Sequence, residues 1–482
     1  MISGNNDTIC APATPAGGGA ICIVRVSGPD ALSIADKVVS LRRGTIQSNV
    51  GYSLKMGEIR SEEGLTDEVL VSIFHSPHSY TGEDGVEISC HSSPYIVRKV
   101  LQLLIEAGCR MAEPGEFTQR AFLNGKMDLA QAEAVADLIA ADSRQQHRVA
   151  MKQLKGGYSS HLKILRDKLT DIAALMELEL DFSEEEVEFA NRGELQSLME
   201  DAIREIERLR DSFKEGNALR NGIPVAIVGA VNSGKSTLLN ALTGDDRAIV
   251  SDIPGTTRDT IEECVNIDGK RFRFIDTAGL RKTDDIIEKI GIERSLDAIS
   301  KASIILGLLD AQAGINDMIR DAFSLLAKAP ADSTLLLLRN KMDIYPSFKT
   351  CGMSTEDISA AIREESDGMY APEILDISAR TGEGLDKLRE KIAEAGKMSC
   401  GSETAAGDGI LVTNLRHYEA LTKALDELYK VRESFIGLSP TDLVAEDLRS
   451  AIRSLGHIWG EGDSITPDEI LGKIFHKFCI GK

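Results

Sequence analysis

One eight-residue segment has the composition and spacing of a phosphate-binding loop. Residues 229–236 read Gly-Ala-Val-Asn-Ser-Gly-Lys-Ser and lie between an apolar run and a helix-forming run, which fits the pattern G-x-x-x-x-G-K-[ST] in its required setting. The glycines let backbone N–H groups converge on phosphate oxygens, and the helix N-terminus adds a favourable dipole. We therefore expect Lys235 to reach the β- and γ-phosphates and Ser236 to ligate Mg²⁺. The other predicted nucleotide contacts of this loop are Asn232, Ser233, Gly234 and Thr237.

Two later segments predict that the nucleotide base is guanine. Asn340-Lys341-Met342-Asp343 follows one apolar run, and Ser378-Ala379-Arg380 follows the next. The Asp343 carboxylate can accept hydrogen bonds from N1–H and the N2 amino group of guanine, whereas adenine offers neither donor. Sites built on such pairing discriminate by roughly 10⁴ or more. A backbone N–H of the second segment is expected near guanine O6. The predicted base contacts are Asn340, Lys341, Asp343, Ser378, Ala379 and Arg380.

Two segments between these motifs suit the metal ion and the γ-phosphate. In Asp276-Thr277-Ala278-Gly279, we expect Asp276 to hold Mg²⁺ through water and Gly279 to sense the γ-phosphate. In the preceding segment, Thr257 is predicted to close over Mg²⁺ when the triphosphate is bound, as switch loops do. The predicted nucleotide contacts of these segments are Ser251, Asp252, Ile253, Pro254, Gly255, Thr256, Thr257, Asp276, Thr277, Ala278 and Gly279.

The usual catalytic groups of such a site are missing. Leu280 follows Gly279 and cannot orient water as a glutamine would, and no arginine finger is evident in the chain. Catalysis then needs another cation and another water-positioning group. Asn232 is placed to help bind a monovalent cation, and Glu288 could orient water indirectly. The residues alone leave open that Asn232 is a turn residue and Glu288 a solvated helix charge.

The elements that position these residues form three regions. Residues 222–400 alternate apolar runs with helical runs, which predicts a mostly parallel, doubly wound sheet. Its expected strands are 225–228, 272–275, 303–309, 334–338 and 374–377. Residues 1–124 contain expected strands at 20–26 and 68–74 and predict an α/β domain. Residues 125–217 and 409–482 have helical periodicity, with expected helices at 128–141, 162–180, 194–215, 415–429 and 442–455. This organisation predicts one helical domain that is interrupted by an inserted nucleotide-binding domain.

Composition limits the class of protein further. A chain of 482 residues is too long for a single core, so roughly three domains are expected. No apolar run is long enough to span a bilayer, and eight scattered cysteines fit free thiols in a reducing cytoplasm. The net charge of −21 disfavours a stand-alone nucleic-acid binder, because phosphate contacts need clustered Lys and Arg. If RNA is involved, a local patch or a partner must supply the positive surface.

Segments along the whole chain resemble the MnmE (TrmE) family of bacterial and organellar tRNA-modification GTPases. The segments that carry the resemblance lie at 23–29 (IVRVSGP), 79–84 (SYTGED), 114–118 (PGEFT), 121–129 (AFLNGKMDL), 255–259 (GTTRD), 276–281 (DTAGLR) and 478–482 (FCIGK). The resemblance implies an N-terminal folate-binding and dimerisation domain, a helical domain and an inserted Ras-like P-loop GTPase domain. It also implies a homodimer that works on the wobble uridine of certain tRNAs, jointly with the FAD-containing protein MnmG (GidA).

The resemblance also implies roles for individual residues. The two proteins together place an aminomethyl or carboxymethylaminomethyl group at uridine C5, with a one-carbon unit from a formyl- or methylene-tetrahydrofolate. A K⁺ ion replaces the arginine finger, and Glu288 orients the attacking water. Cys479 is a candidate catalytic thiol, with a packed thiol as the alternative. The implied K⁺ ligands are Asn232, Ser251, Ile253 and Thr256, and the implied folate contacts are Arg25, Glu87, Lys126 and Lys482.

Two other functions fit parts of the sequence. An Era-like ribosome-assembly GTPase would use the same nucleotide domain as an RNA-binding switch, but it should carry a basic RNA-binding module that this acidic chain does not show. A folate-binding scaffold would use GTP only to set the geometry of a dimer. The 478–482 segment and the folate-like N-terminal region favour the tRNA-modifying enzyme.

Overall fold

A computed structural model describes residues 7–15, 19–62, 64–181, 192–230, 232–244, 263–275, 298–312, 315–330, 333–344, 354–365, 372–399, 410–436, 441–461, 474–475, 478 and 481. The chain divides into two compact units. The first unit comprises residues 1–140, 150–203 and 423–482, and the second comprises residues 141–149 and 204–422.

The described residues form helices and strands in both units. The strands are β1 (Ile9–Pro12), β2 (Ile21–Ser27), β3 (Val39–Leu41), β4 (Ser53–Ser61), β5 (Gly64–Phe74), β6 (Gly85–His91), β7 (Arg110–Met111), β8 (Ile223–Gly229), β9 (Glu263–Ile267), β10 (Lys270–Ile275), β11 (Ile304–Asp310), β12 (Thr334–Asn340) and β13 (Ile374–Asp376). The helices are α1 (Ala31–Val38), α2 (Pro94–Ala107), α3 (Glu116–Leu123), α4 (Leu129–Ala140), α5 (Arg144–Leu154), α6 (Gly157–Asp181), α7 (Arg192–Asp211), α8 (Phe213–Asn221), α9 (Lys235–Thr243), α10 (Ile315–Leu326), α11 (Thr355–Glu365), α12 (Leu385–Ser399), α13 (Leu415–Ile436) and α14 (Thr441–Trp459).

The first unit is built on a sheet of strand order β3-β4-β5-β6-β2-β1-β7. The neighbours are antiparallel except for the parallel β1–β7 pair. Helices α1 and α2 contact this sheet. Along β2, Val24 and Val26 are buried in the core, whereas Arg25 between them is half-buried. Because successive strand residues point to opposite faces, Arg25 lies on the face away from that core.

The helices of the first unit pack through apolar stripes. Helix α6 packs against α14, and α14 also contacts α4. Leu162, Leu165 and Leu169 are buried on α6 at the i, i+3, i+7 spacing of an amphipathic helix. Trp459 at the end of α14 is buried, and the guanidinium carbon of Arg166 lies 5.6 Å from its ring centroid. A cation at this distance from an aromatic ring is attracted to its face.

The second unit is built on a sheet of strand order β13-β12-β11-β8-β10-β9. All neighbours are parallel except the β9–β10 hairpin. The central strand β11 is buried from Ile304 to Leu309, because Leu306 and Leu308 enter one core and Ile305 enters another. Strands covered on both faces are continuous apolar runs, which explains why the sequence shows this sheet clearly.

The predicted fold class is confirmed, with differences in detail. Every expected strand lies within or overlaps an observed one, but β1, β3, β4, β6, β7 and β9 were not predicted. In β9, alternating polar residues leave no continuous apolar run. The expected helix 194–215 divides into α7 and α8. Within the described ranges, no helix combines the length and apolar composition needed to cross a bilayer. The domain limits remain a prediction.

Leu448→Ala should lower the stability of the first unit. Leu448 is fully buried on α14, so its truncation should cost roughly 2–5 kcal/mol in unfolding free energy. Trp459 is the single tryptophan of the chain, and its fluorescence reports urea unfolding of α14. Leu198→Ala is the control, because Leu198 is exposed and its truncation should change the free energy by less than about 0.5 kcal/mol. Equal losses in the two variants would contradict the packing described for α14.

Candidate functional sites

The predicted phosphate-binding loop connects β8 to α9. Its two glycines occupy positions that no side chain could share. A Cβ on Gly229 would lie 2.6 Å from the carbonyl oxygen of Leu308 on the neighbouring strand. A Cβ on Gly234 would lie 2.3 Å from the side-chain nitrogen of Asn340, and Gly234 has a φ of +99°. The loop therefore packs directly against the ends of β11 and β12.

Lys235, the first residue of α9, points back over the loop. Its ammonium donates hydrogen bonds to the carbonyl oxygens of Gly229 at 2.9 Å and Ala230 at 2.8 Å. Burial lowers the pKa of this ammonium group. Ser236 and Thr237 follow on the exposed first turn of α9. The N–H groups of a helix's first turn lack partners within the helix and favour an anion such as phosphate.

The amide of Asn340 links the loop to the predicted base-reading segment. Its Nδ2 donates to the carbonyl oxygen of Ser233 at 2.9 Å, and its Oδ1 accepts from the backbone N–H of Ala379 at 3.0 Å. Asn340 is only 2% exposed. Since both ends of one buried amide are used, the phosphate-binding loop and residues 378–380 are held at a fixed separation.

Asp343 lies three residues beyond the end of β12, in a 3-10 turn over Met342–Ile344. The hydroxyl of Ser378, a fully buried residue, donates to Asp343 Oδ1 at 2.7 Å. The same hydroxyl oxygen accepts from the backbone N–H of Thr381 at 3.2 Å. Ser378 thus orients the half-buried carboxylate, and a carboxylate held in this way can accept from paired N–H donors on a planar base.

Two ion pairs around this segment were not predicted. Lys341, whose φ is +70°, places its ammonium 2.6 Å from Asp310 Oδ2 at the end of β11. The guanidinium of Arg339, which is 2% exposed, donates from Nε to Asp376 Oδ1 at 2.6 Å. Asp310 could have been identified from the sequence, because it is the polar residue that ends an apolar run. The partners follow from strand register, which pairs Asp310 with Asn340 and Arg339 with Asp376.

Part of the predicted nucleotide site lies outside the described residues. Asn232 is described: it is exposed and has a φ of +63°, which is uncommon for a side-chain-bearing residue. The site predictions outside the described ranges are Ser251, Asp252, Ile253, Pro254, Gly255, Thr256, Thr257, Asp276, Thr277, Ala278, Gly279, Glu288, Cys479 and Lys482.

The structure brings two of the candidate folate residues together. Arg25 on β2 and Glu87 on β6 are directly opposite each other, and Arg25 Nε donates to Glu87 Oε1 at 2.9 Å. The Arg25 guanidinium carbon also lies 5.2 Å from the ring centroid of Tyr80 and 5.6 Å from that of Phe117. Burial raises the pKa of the Tyr80 hydroxyl. The arrangement is a charged pair beside flat apolar rings, which suits a planar heterocycle with polar edges.

Gly481, a described residue of the 478–482 segment, contacts the same arginine. Arg25 Nη1 donates to the carbonyl oxygen of Gly481 at 3.3 Å. A Cβ on Gly481 would lie 2.1 Å from the carbonyl oxygen of Pro12, so the backbone passes close to the end of β1. The ammonium of Lys126 donates to the carbonyl oxygen of Pro77 at 2.9 Å, and the described contacts do not join Lys126 to Arg25.

A buried charge network supports the Tyr80 and Phe117 segments. Arg120 on α3, which is 2% exposed, donates to Glu116, Glu83 and Asp7. Burial raises the pKa of the Glu116 carboxyl, but hydrogen bonds from Arg110, the Glu113 N–H and Arg120 outweigh it, so this pKa lies below its ordinary value. A paired, hydrogen-bonded cluster of this kind is costly to break, and sequence reasoning did not identify it.

A doubly wound sheet with a glycine-rich loop between β8 and α9 defines a P-loop nucleotide-binding protein. Comparison with known families is more specific. The family described as MnmE helical domain matches residues 129–479, and the family described as GTP-binding protein TrmE N-terminus matches residues 8–126.

Curated relatives extend over the full chain. The tRNA modification GTPase MnmE of Bacteroides fragilis is 46% identical over 480 residues, which cover 99% of this chain and 100% of that protein. The protein of the same name from Porphyromonas gingivalis is 47% identical over 489 residues, covering 100% of this chain and 99% of that protein. The G domain of the T. maritima FeoB iron transporter aligns with 36% of this chain and 98% of that chain, at 24% identity and a TM-score of 0.25. On the family matches and the full-length relatives, this chain belongs to the MnmE (TrmE) family.

Gly234→Ala should weaken nucleotide binding by displacing the Asn340 amide. Losing a buried hydrogen bond costs about 1–3 kcal/mol, which is roughly 5- to 150-fold in the dissociation constant. A fluorescent GDP analogue titrated into the purified protein measures the change. Gly269→Ala is the matched control, because Gly269 also has a positive φ, of +73°, but an added Cβ there meets nothing within 4 Å. Similar affinity losses in both variants would mean that backbone strain, not the Asn340 contact, is responsible.

Proposed function

We propose that this chain hydrolyses GTP to support modification of the wobble uridine of tRNA. The observation that carries the proposal is the polar cluster at the ends of β12 and β13. Asn340 joins the phosphate-binding loop to Ala379. The hydroxyl of Ser378 orients the carboxylate of Asp343, which is the group proposed to recognise guanine. Family membership supports the hydrolase and its role in tRNA modification, because the full-length relatives are named tRNA modification GTPases.

Each residue of the nucleotide site has a proposed task. Lys235 contacts the β- and γ-phosphates, and Ser236 supplies a hydroxyl to Mg²⁺, which neutralises charge on the phosphates when bound. Asp343 reads the N1 and N2 edge of guanine, and the N–H groups near Ala379 lie beside O6. The ammonium of Lys341 is paired with Asp310, and the aliphatic part of the Lys341 side chain is proposed to pack on the guanine ring. Thr257 is proposed as the second Mg²⁺ ligand.

The charge that an arginine finger would supply is proposed to come from K⁺. Asn232, Ser251, Ile253 and Thr256 are the proposed ligands, and Glu288 is the proposed water-orienting acid. An arginine finger contributes roughly 10³–10⁵ in rate, or about 4–7 kcal/mol of barrier. Oxygen ligands from an amide, hydroxyls and backbone carbonyls suit a weakly hydrated monovalent cation. The positive φ of Asn232 supports this role, because uncommon backbone conformations cluster at functional sites.

The first unit is proposed to bind a tetrahydrofolate derivative that supplies the one-carbon unit. The Arg25–Glu87 pair and the rings of Tyr80 and Phe117 support this, with Lys126 and Lys482 proposed for the glutamyl tail. We further propose a cytoplasmic homodimer that acts with MnmG, whose FAD supplies the redox chemistry. Calorimetry of the full-length protein with 5-formyltetrahydrofolate tests the folate site, and no heat at millimolar ligand would refute that part.

Asp343→Asn should change the base preference from guanine to xanthine. The new amide donates where the carboxylate accepted, so it matches xanthine O2 instead of the guanine amino group. Competition between GTP and xanthosine triphosphate for the fluorescent analogue measures the switch, which should be on the order of 10²-fold or more in relative affinity. Tight GTP binding with no gain for xanthosine triphosphate would contradict the role of Asp343.

Hydrolysis should be fast in KCl and slow in NaCl at equal ionic strength, with nucleotide affinity little changed. Na⁺ is smaller than K⁺ and should fit a site of amide and backbone oxygens poorly. Stopped-flow turnover in the two salts measures the effect, which should approach the roughly 10³-fold lower limit of an arginine finger. Asn232→Ala should remove the response to K⁺, and Glu288→Ala should slow hydrolysis in K⁺. Equal rates in KCl and NaCl would place the missing charge on a protein side chain.

A further inference from the structure

The segment 378–380, which is proposed to contact guanine, follows a very short edge strand. Strand β13 has three residues, Ile374–Asp376, and β12 is its one neighbour in the sheet formed by the described residues. By comparison, β12 pairs with β11 along the seven residues 304–310. An edge strand has hydrogen-bonding partners on one side only. Backbone pairing therefore holds β13, and the segment that follows it, less firmly than the strands in the middle of the sheet.

An ion pair joins the end of β13 to β12. Arg339 and Asp376 are directly opposite each other in the ladder. The guanidinium of Arg339 donates from Nε to Oδ1 and from Nη2 to Oδ2 of Asp376, both at 2.6 Å. The Arg339 side chain is 3% exposed, whereas that of Asp376 is 39% exposed. Two parallel hydrogen bonds from a planar group fix the angle between the partners as well as the distance.

Net stability alone is a poor explanation for this pair. The strand residues before Arg339 are apolar, and Leu336, Leu337 and Leu338 are buried. Packed apolar residues in place of a buried ion pair are often neutral or stabilising, because removing a guanidinium from water is costly. A buried pair does fix register, since its hydrogen bonds form in one alignment of the two strands. The pair therefore indicates a place at which the alignment of β12 and β13 matters.

The alignment matters because both strands lead into the base-reading segments. Arg339 lies four residues before Asp343 in the chain, and Asp376 lies two residues before Ser378. The Ser378 hydroxyl donates to the Asp343 carboxylate at 2.7 Å. A shift of β13 along β12 would displace this hydroxyl and leave the carboxylate without the donor that orients it.

We propose that Arg339 and Asp376 form a positioning pair, which sets the orientation of Asp343 toward the amino group of guanine. The pair acts through β13 and Ser378 and not by contact with the nucleotide. This inference rests on the proposed function, in which the Asp343 carboxylate accepts hydrogen bonds from N1–H and the N2 amino group of the base. Because two such bonds must form at once, a small rotation of the carboxylate should weaken recognition of the amino group.

The ratio of the affinities for GDP and IDP isolates this role. Inosine differs from guanosine only by lacking the N2 amino group, so contacts to the phosphates and the ribose cancel in the ratio. The full-length protein is titrated with both nucleotides in competition with a fluorescent GDP analogue. The wild type should prefer GDP roughly 10- to 150-fold, which is the range for a hydrogen bond to a charged group. A general loss of stability would weaken the binding of both nucleotides and leave the ratio unchanged.

Arg339→Met is the main variant. Methionine has a long, unbranched apolar side chain that can fill the buried space, and the exposed carboxylate of Asp376 can be solvated by water. The variant should still bind GDP, but its preference over IDP should fall about three- to tenfold, as expected for residues coupled in one network. Arg339→Lys keeps the charge but lacks the planar fork, so its ratio should lie between those of Arg339→Met and the wild type.

Glu373→Gln is the matched control. Glu373 directly precedes β13, and its carboxylate is 3.0 Å from the ammonium of Lys391. This pair is on the surface, with side chains that are 51% and 28% exposed, so it should contribute little to the alignment of the strands. The variant removes one ion pair of the same unit, and its preference for GDP should stay within about twofold of the wild-type value.

Any of three results would overturn the inference. One is a folded Arg339→Met protein with the wild-type ratio. Another is an equal loss of preference in Arg339→Met and Glu373→Gln, which would indicate a general effect of lost ion pairs. The third is a wild-type ratio in Arg339→Lys when Arg339→Met does not fold, which would make the pair a stabilising contact only. Equal affinity of the wild type for GDP and IDP is a different outcome, because it would refute guanine recognition by Asp343, on which the inference rests.

Discussion

The side-chain amide of Asn340 joins three segments that lie far apart along the chain. Its nitrogen bonds the phosphate-binding loop at Ser233, its oxygen bonds residue 379, and its own backbone ends β12. Gly234 has to lack a side chain because this amide occupies the space. The spacing between the phosphate-binding end and the base-binding end of the site is therefore set by one buried group that is hydrogen-bonded to both.

In the first unit, a charged side chain among aromatic rings likewise joins segments that lie far apart along the chain. Arg25 contacts Glu87, Gly481 and two rings from separate segments. Behind it, the Arg120 network ties Asp7, Glu83 and Glu116 together. A guanidinium can serve so many partners because its five donors lie in one plane while its faces remain available for stacking. The site is thus assembled from strands, loops and a helix that have little in common in sequence.

The sequence predicted those parts that depend on local pattern. Residues 229–236, 340–343 and 378–380 were identified because their chemistry is encoded in a few adjacent residues, and β8, β11 and β12 because burial on both faces makes them apolar. The Lys341–Asp310 and Arg339–Asp376 pairs were not predicted, since they depend on the register between strands. Tyr80, between β5 and β6, and Phe117, on α3, were missed because their approach to Arg25 depends on tertiary packing. Helix α5 was missed because its exposed face is basic and its buried face carries glutamines.

The contact between Arg25 and Gly481 has a consequence for how the protein is made. The two residues are separated by 456 positions, and ribosomes add about 5–20 residues per second. Gly481 is therefore synthesised roughly 20–90 s after Arg25, when the strands around β2 have long been available for pairing. During that interval the strands of the N-terminal sheet can pair but the Arg25 site is unfinished, which would delay its chemistry until the nucleotide-binding unit had also been synthesised.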